Sequence, residues 1–106
     1  MINWSQKDGI IELELSSEPC NEIGSRMVEA LERFLDAIDP SAAKALIIHS
    51  TLDSGFCAGA DLHELYHGMS TRPKEEHVPE IRKFLDRVHG VMDRLDMLPL
   101  TTIGVI

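Results

Sequence analysis

Cysteine is nearly missing from this 106-residue chain: Cys20 and Cys57 are the only two, 37 positions apart and without a CxxC pair. Small secreted folds usually carry a denser disulfide framework, so a reducing, cytoplasmic setting is expected. Positive charge is also in deficit, with 10 Lys and Arg against 18 Asp and Glu and a formal net charge of −8. Nucleic acid and anionic membrane surfaces attract the opposite sign, so neither is expected as a partner. No apolar run approaches the roughly 20 residues that span a bilayer. Trp4, Ser5, Gln6, Lys7 and Asp8 interrupt any apolar stretch of a secretory leader. Repeats and low-complexity segments are lacking too. What remains is 43% hydrophobic and 26% charged, the proportions of one globular domain. A chain of this length buries roughly 60 to 68% of its unfolded surface, enough for one modest core.

The pattern along the chain predicts an α/β fold. Ile11, Leu13 and Leu15 alternate with Glu12 and Glu14, so Ile10 to Leu15 reads as a half-exposed strand. It is entered through a turn at Lys7-Asp8-Gly9, and Trp4 belongs to an earlier strand paired with it as a hairpin. Pro19, Asn21 and Gly24 make Ser16 to Gly24 a loop. Met27, Ala30, Leu31, Phe34, Leu35 and Ile38 keep i, i+3, i+4 spacing, which predicts a helix from Ser25 to Ile38, stopped by Asp39-Pro40. The continuous run Leu46-Ile47-Ile48 within Ala45 to His49 suits a strand covered on both faces, with crossover helices around a mostly parallel sheet. Thr51 to Asp61 is expected as a loop, Asp61 to Tyr66 as a short helix, and Gly68 to Lys74 as a mobile segment. A long helix is expected from Pro79 to Asp96, with Ile81, Phe84, Leu85, Val88, Met92 and Leu95 as its stripe. Thr101 to Ile106 reads as a buried strand.

Ser54 to Leu62 carries small residues between a buried strand and a helix, where a backbone can approach a ligand closely. A residue entering a helix exposes a free N–H, and the helix dipole adds partial positive charge at the same point. Together they can hold an oxyanion, as acyl-transfer and enolate chemistry require. The loop is neither G-x-G-x-x-G nor a P-loop.

Phe56-Cys57-Ala58-Gly59-Ala60-Asp61-Leu62 resembles the F-x-A-G-A-D-[LI] signature of the enoyl-CoA hydratase/isomerase (crotonase) family. The turn at Pro19-Cys20-Asn21, the strand Ala45-Leu46-Ile47-Ile48 and the segment Leu98 to Ile106 resemble the family's flanking elements in the same order. The resemblance implies the N-terminal part of a crotonase-type ββα spiral over residues 1 to 106. It implies acyl-CoA thioester chemistry, hydration or isomerisation through an enolate, with coenzyme A as part of the substrate and no separate cofactor. The Ala60 N–H would be one oxyanion-hole donor. Carbonyls around Ala58 and Leu62 would take the adenine amino group. Gly59, Asp61, Leu62 and His63 would line the acyl-CoA site, and Cys20 and Asn21 would border its nucleotide end. A trimeric or hexameric homo-oligomer is implied as well.

The departures are equally specific. The family's second donor glycine and its acid–base glutamates fall beyond Ile106, and Asn21-Glu22-Ile23 replaces the usual Asn-Ala-Leu. The resemblance therefore implies an incomplete part of the enzyme that does not turn over alone, with exposed apolar faces that favour self-association. A non-catalytic CoA-binding or interaction module is the alternative from the binding class. A second alternative is a zinc hydrolase, because His63-Glu64-Leu65-Tyr66-His67 is a literal H-E-x-x-H. The metzincin extension is lacking, since Ser70 and Pro73 stand where Gly and His are needed. No metal is therefore expected, and both histidines read as polar residues beside a loop. His49 reads as hydrogen-bonded structure, His89 as a boundary residue, His77 as part of a solvated charged face. Arg72, Lys74, Arg82, Lys83 and Arg87 form the main positive cluster, with helix solvation preferred over a CoA phosphate contact.

Overall fold

Asp8 and Gly9 both take positive φ, 53° and 82°. That is the backbone of a two-residue Asp-Gly hairpin turn whose twist matches its flanking strands. It joins β1 (Ile2–Lys7) to β2 (Ile10–Leu15), antiparallel, with Trp4 opposite Leu13 as the expected hairpin requires. The computed structural model describes all residues, 1–106. Alternation in β2 buries Ile11, Leu13 and Leu15 on one face and leaves Glu12 exposed on the other. Next comes α1 (Ser25–Ala37), which lays Met27, Val28, Leu31, Phe34 and Leu35 on that buried face. Trp4 meets Phe34 edge-on, ring centroids 5.6 Å apart. Pro40 then opens a short 3₁₀ turn capped by Asp39.

β3 (Ala45–Ser50) lies parallel to β2, and β4 (Thr101–Gly104) parallel to β3, so the strand order is β1-β2-β3-β4. Between them run α2 (Leu62–Ser70) and α3 (His77–Asp96). The architecture is the expected α/β one with a mostly parallel sheet. Arg87 reaches Glu32 at 2.6 Å and Arg94 reaches Asp36 at 2.8 Å, tying α3 to α1. The short bond to Glu32 holds the Arg87 guanidinium above its ordinary value, against the opposing effect of desolvation. No helix is long and apolar enough to cross a membrane.

Several expectations need correction. Covered on one face only, β3 buries Leu46 while Ile47 and Ile48 remain half-buried. The reason is that α1 and α3 pack on the same side of the sheet, giving a molecule of 51 × 29 × 18 Å. β4 is an exposed edge covered on neither face, and Ile103 is 46% accessible. Of the long helix only Val91 is fully buried, and Leu85 and Met92 of its expected stripe are exposed. Helix α3 also starts two residues early at His77, with Pro79 still inside the first turn, where it is tolerated. Gly68, expected in a mobile segment, belongs to α2. The turn after α2 is held by His77, whose Nε2 lies 2.8 Å from the Met69 carbonyl and 3.1 Å from that of Arg72. His77 is therefore a half-buried tie across this turn and not simply part of a solvated face. His89 is exposed on α3.

Candidate functional site

Two loops meet where the signature lies, and Asn21 joins them. It is the only buried polar side chain, at 0% exposure, and its φ of 52° places it in the left-handed region that Asn tolerates. Its Oδ1 accepts the Ser17 N–H at 2.7 Å. Its Nδ2 donates to the Ser50 hydroxyl and to the Phe56 carbonyl, both at 2.9 Å. Every polar atom of the side chain is thus used inside the chain, so Asn21 is a structural hub beside the site. Cys20 is half-buried next to it, and its carbonyl accepts the Ala58 N–H at 3.0 Å.

Ile23 and Ala60 then pair as an isolated parallel bridge. The Ile23 N–H donates to the Gly59 carbonyl at 2.7 Å, and the Asp61 N–H donates to the Ile23 carbonyl at 2.9 Å. Both bonds use the backbone groups of Ile23, so those of Ala60 are turned the other way. The Ala60 N–H has no hydrogen-bond partner in the chain, and Ala60 is exposed. Gly59 makes this possible with φ 91°, a conformation that L side chains rarely adopt. Asp61 is the N-cap of α2, its carboxylate accepting the Glu64 N–H at 3.1 Å. Ala60 therefore presents a free donor just ahead of a helix N-terminus, where the dipole is positive.

The remaining expected residues surround this point unequally. Ala58 is exposed, and no hydrogen bond within the chain reaches its carbonyl. Leu62 opens α2, so its carbonyl is directed along the helix toward the fourth residue on. Its side chain is 72% exposed, and His63 is exposed beside it. Behind the loop an apolar cavity of about 130 Å³ lies between β2, α1 and α3, with Leu15, Met27, Leu31, Ile48, Phe56 and Met92 in its wall. In the positive cluster, Arg72 pairs with Glu80 at 3.4 Å and Arg87 with Glu32, so two of its five members are engaged within the chain.

Glu64 was missed as a structural residue. Its carboxylate accepts the Ser25 N–H at 2.8 Å and also the Ser25 hydroxyl, capping α1 from a distant element. The N-cap residue Gly24 has no side chain to do this. A Cβ at Gly24 would overlap the Glu64 carboxylate, so glycine leaves the room that the cap occupies. The Asp61-x-x-Glu64 spacing was a legible capping signal, although Glu64 reaches Ser25 and not the Asp61 N–H. This engagement works against the zinc alternative, which needs Glu64 free to polarise a water. His63 and His67 are exposed, and no three His, Cys, Asp or Glu side chains converge as metal ligands.

Comparison with known proteins places the chain in a family. Residues 9–106 match the family model described as enoyl-CoA hydratase/isomerase. An enoyl-CoA isomerase/hydratase of Penicillium crustosum is 32% identical over 90 residues, covering 81% of this chain and 9% of its own length. The mitochondrial methylglutaconyl-CoA hydratase of Rattus norvegicus is 30% identical over 87 residues, covering 81% of this chain and 25% of its own. The crystal structure of an enoyl-CoA hydratase from Bacillus anthracis superposes with a TM-score of 0.75 at 21% identity, over 97% of this chain and 38% of that one. The chain thus spans a quarter or less of the length of these curated relatives. The free N–H at Ala60, the loop that presents it and the sheet behind it sit inside a match that runs through nearly every residue: the chain belongs to the enoyl-CoA hydratase/isomerase family.

Proposed function

We propose that this chain binds the thioester end of an acyl-CoA and holds its carbonyl oxygen as negative charge develops there. The observation that carries the reading is the unpaired Ala60 N–H ahead of α2. Such a donor strengthens its bond as a thioester carbonyl becomes an enolate, which is the differential binding that accelerates hydration or double-bond isomerisation. Because the donor is main chain, the Ala60 side chain acts only through its small size. The free Ala58 carbonyl suits the adenine amino group, with Gly59, Asp61, Leu62 and His63 along the ligand and Cys20 at its nucleotide end; Asn21, expected there too, is fully buried and holds that end from inside the chain. Coenzyme A enters as part of the substrate. A trimeric or hexameric assembly belongs to the same reading.

The test is an NMR titration of the ¹⁵N-labelled chain with a β-ketoacyl-CoA, whose enolate is stable enough to observe. The Ala60 amide should move downfield saturably, and sedimentation of the same sample reports the assembly. Binding that leaves the Ala60 amide unmoved, or no binding at all, would overturn the assignment.

A further inference from the structure

We propose that Cys20 and Cys57 are a redox pair, two thiols that an oxidant of the peroxide class joins into one disulfide across the base of the candidate site. This stands on the loop geometry and does not rest on the acyl-CoA reading. Cys20 and Cys57 are separated by the same 37 positions as the bridge partners Ile23 and Ala60. The hydrogen bonds repeat with that offset. The Asp61 N–H, one residue past Ala60, donates to the Ile23 carbonyl, and the Ala58 N–H, one residue past Cys57, donates to the Cys20 carbonyl. The Ala58 N–H bond therefore sets the main chain at Cys57 beside that at Cys20. Main chains joined by a backbone hydrogen bond run about 4.8 Å apart, and a disulfide accepts a Cα spacing of roughly 4.4–6.8 Å.

The sulfur positions give each thiol a part. Cys57 is exposed, whereas Cys20 is half-buried. Cys57 Sγ donates to the Asn21 carbonyl at 3.2 Å, which brings it over the residue adjoining Cys20. The Gly59 N–H donates to the same sulfur at 3.4 Å. Cys57 therefore meets the oxidant. Its thiolate attacks one peroxide oxygen, the O–O bond breaks, and Cys57 becomes a sulfenic acid as the other oxygen leaves as water. The Cys20 thiol then attacks the Cys57 sulfur, forming S–S and expelling the second water. Two thiols are oxidised and one peroxide is reduced. The product draws Cys57 Sγ off Asn21 and Gly59, directly upstream of the Ala60 N–H.

The experiment treats the reduced, folded protein with hydrogen peroxide and follows intact mass and peptide maps. The expected result is a monomer lighter by two hydrogens, with the Cys20 and Cys57 peptides linked and the change reversed by dithiothreitol. The link should form at least about tenfold faster folded than in urea, since the fold supplies the proximity. Cys20→Ser should stop at a sulfenic acid on Cys57, trapped by dimedone. Thiols that remain alkylatable, a link between two chains, or equal rates folded and in urea would overturn the proposal.

Discussion

The side-chain amide of Asn21 is bonded to the main-chain carbonyl of Phe56 at 2.9 Å, fastening the turn after β2 to the first residue of the signature loop. The same side chain satisfies Ser17 and Ser50, so its removal leaves several buried groups unpaired at once. Asn21→Ala should cost about 2–4 kcal/mol of stability. Asn21→Gly loses the same bonds but accepts the positive φ, and should be less costly by about 1 kcal/mol. Urea unfolding midpoints at constant slope check both. Equal costs would remove the backbone contribution from the account.

Gly24 and Glu64 should behave as one unit. Glu64→Ala removes the α1 cap, a loss of about 1 kcal/mol. Gly24→Ala pushes the carboxylate away and should cost a similar amount. If both act through the same cap, Gly24→Ala with Glu64→Ala should cost close to one substitution and not their sum. Additive losses in a double-mutant cycle would mean that Gly24 acts through something other than room for Glu64.

The H-E-x-x-H spacing should confer no zinc site. Equilibrium dialysis against zinc should leave no stoichiometric metal, and alanine at both His63 and His67 should leave the melting temperature within about 0.5 kcal/mol equivalent of the parent. One zinc per chain, lost in that variant, would restore the metal reading.

The α1–α3 ties should respond to salt and hardly to pH. Both pairs are largely exposed, so Arg87→Gln and Arg94→Gln should cost about 0.2–1 kcal/mol each, shrinking in molar salt. The pKa of Arg87 is raised on folding, so its contribution is fully present below the ordinary arginine value and is lost only as pH rises beyond it. Stability across pH 5 to 9 should therefore not report this pair. Thermal melts of parent and Arg87→Gln over that range test the point, and a pH-dependent difference would contradict it.

The hairpin, β2 and α1 were legible because their signals are local: an Asp-Gly turn, a period-2 strand and a 3.6-residue stripe each declare themselves within a few residues. Ala60 was reachable through the signature. The rest depends on which surfaces meet. Nothing near Ile47 says that both helices choose the opposite face of the sheet, so a continuous apolar run misled. His77 contacts a carbonyl eight residues back only because the turn at Pro73 folds it there. Glu64 was read inside a metal motif, while its partner, Ser25, stands 39 positions away in sequence.

The strands lie in the sheet in the order in which they occur in the chain. During synthesis, each new strand leaves the ribosome with its neighbour already laid down, and no segment must wait for a later one to hold the place between them. Assembly can therefore proceed as vectorial docking from β1 to β4, with a translational pause after any of these strands leaving a correctly paired sheet behind it.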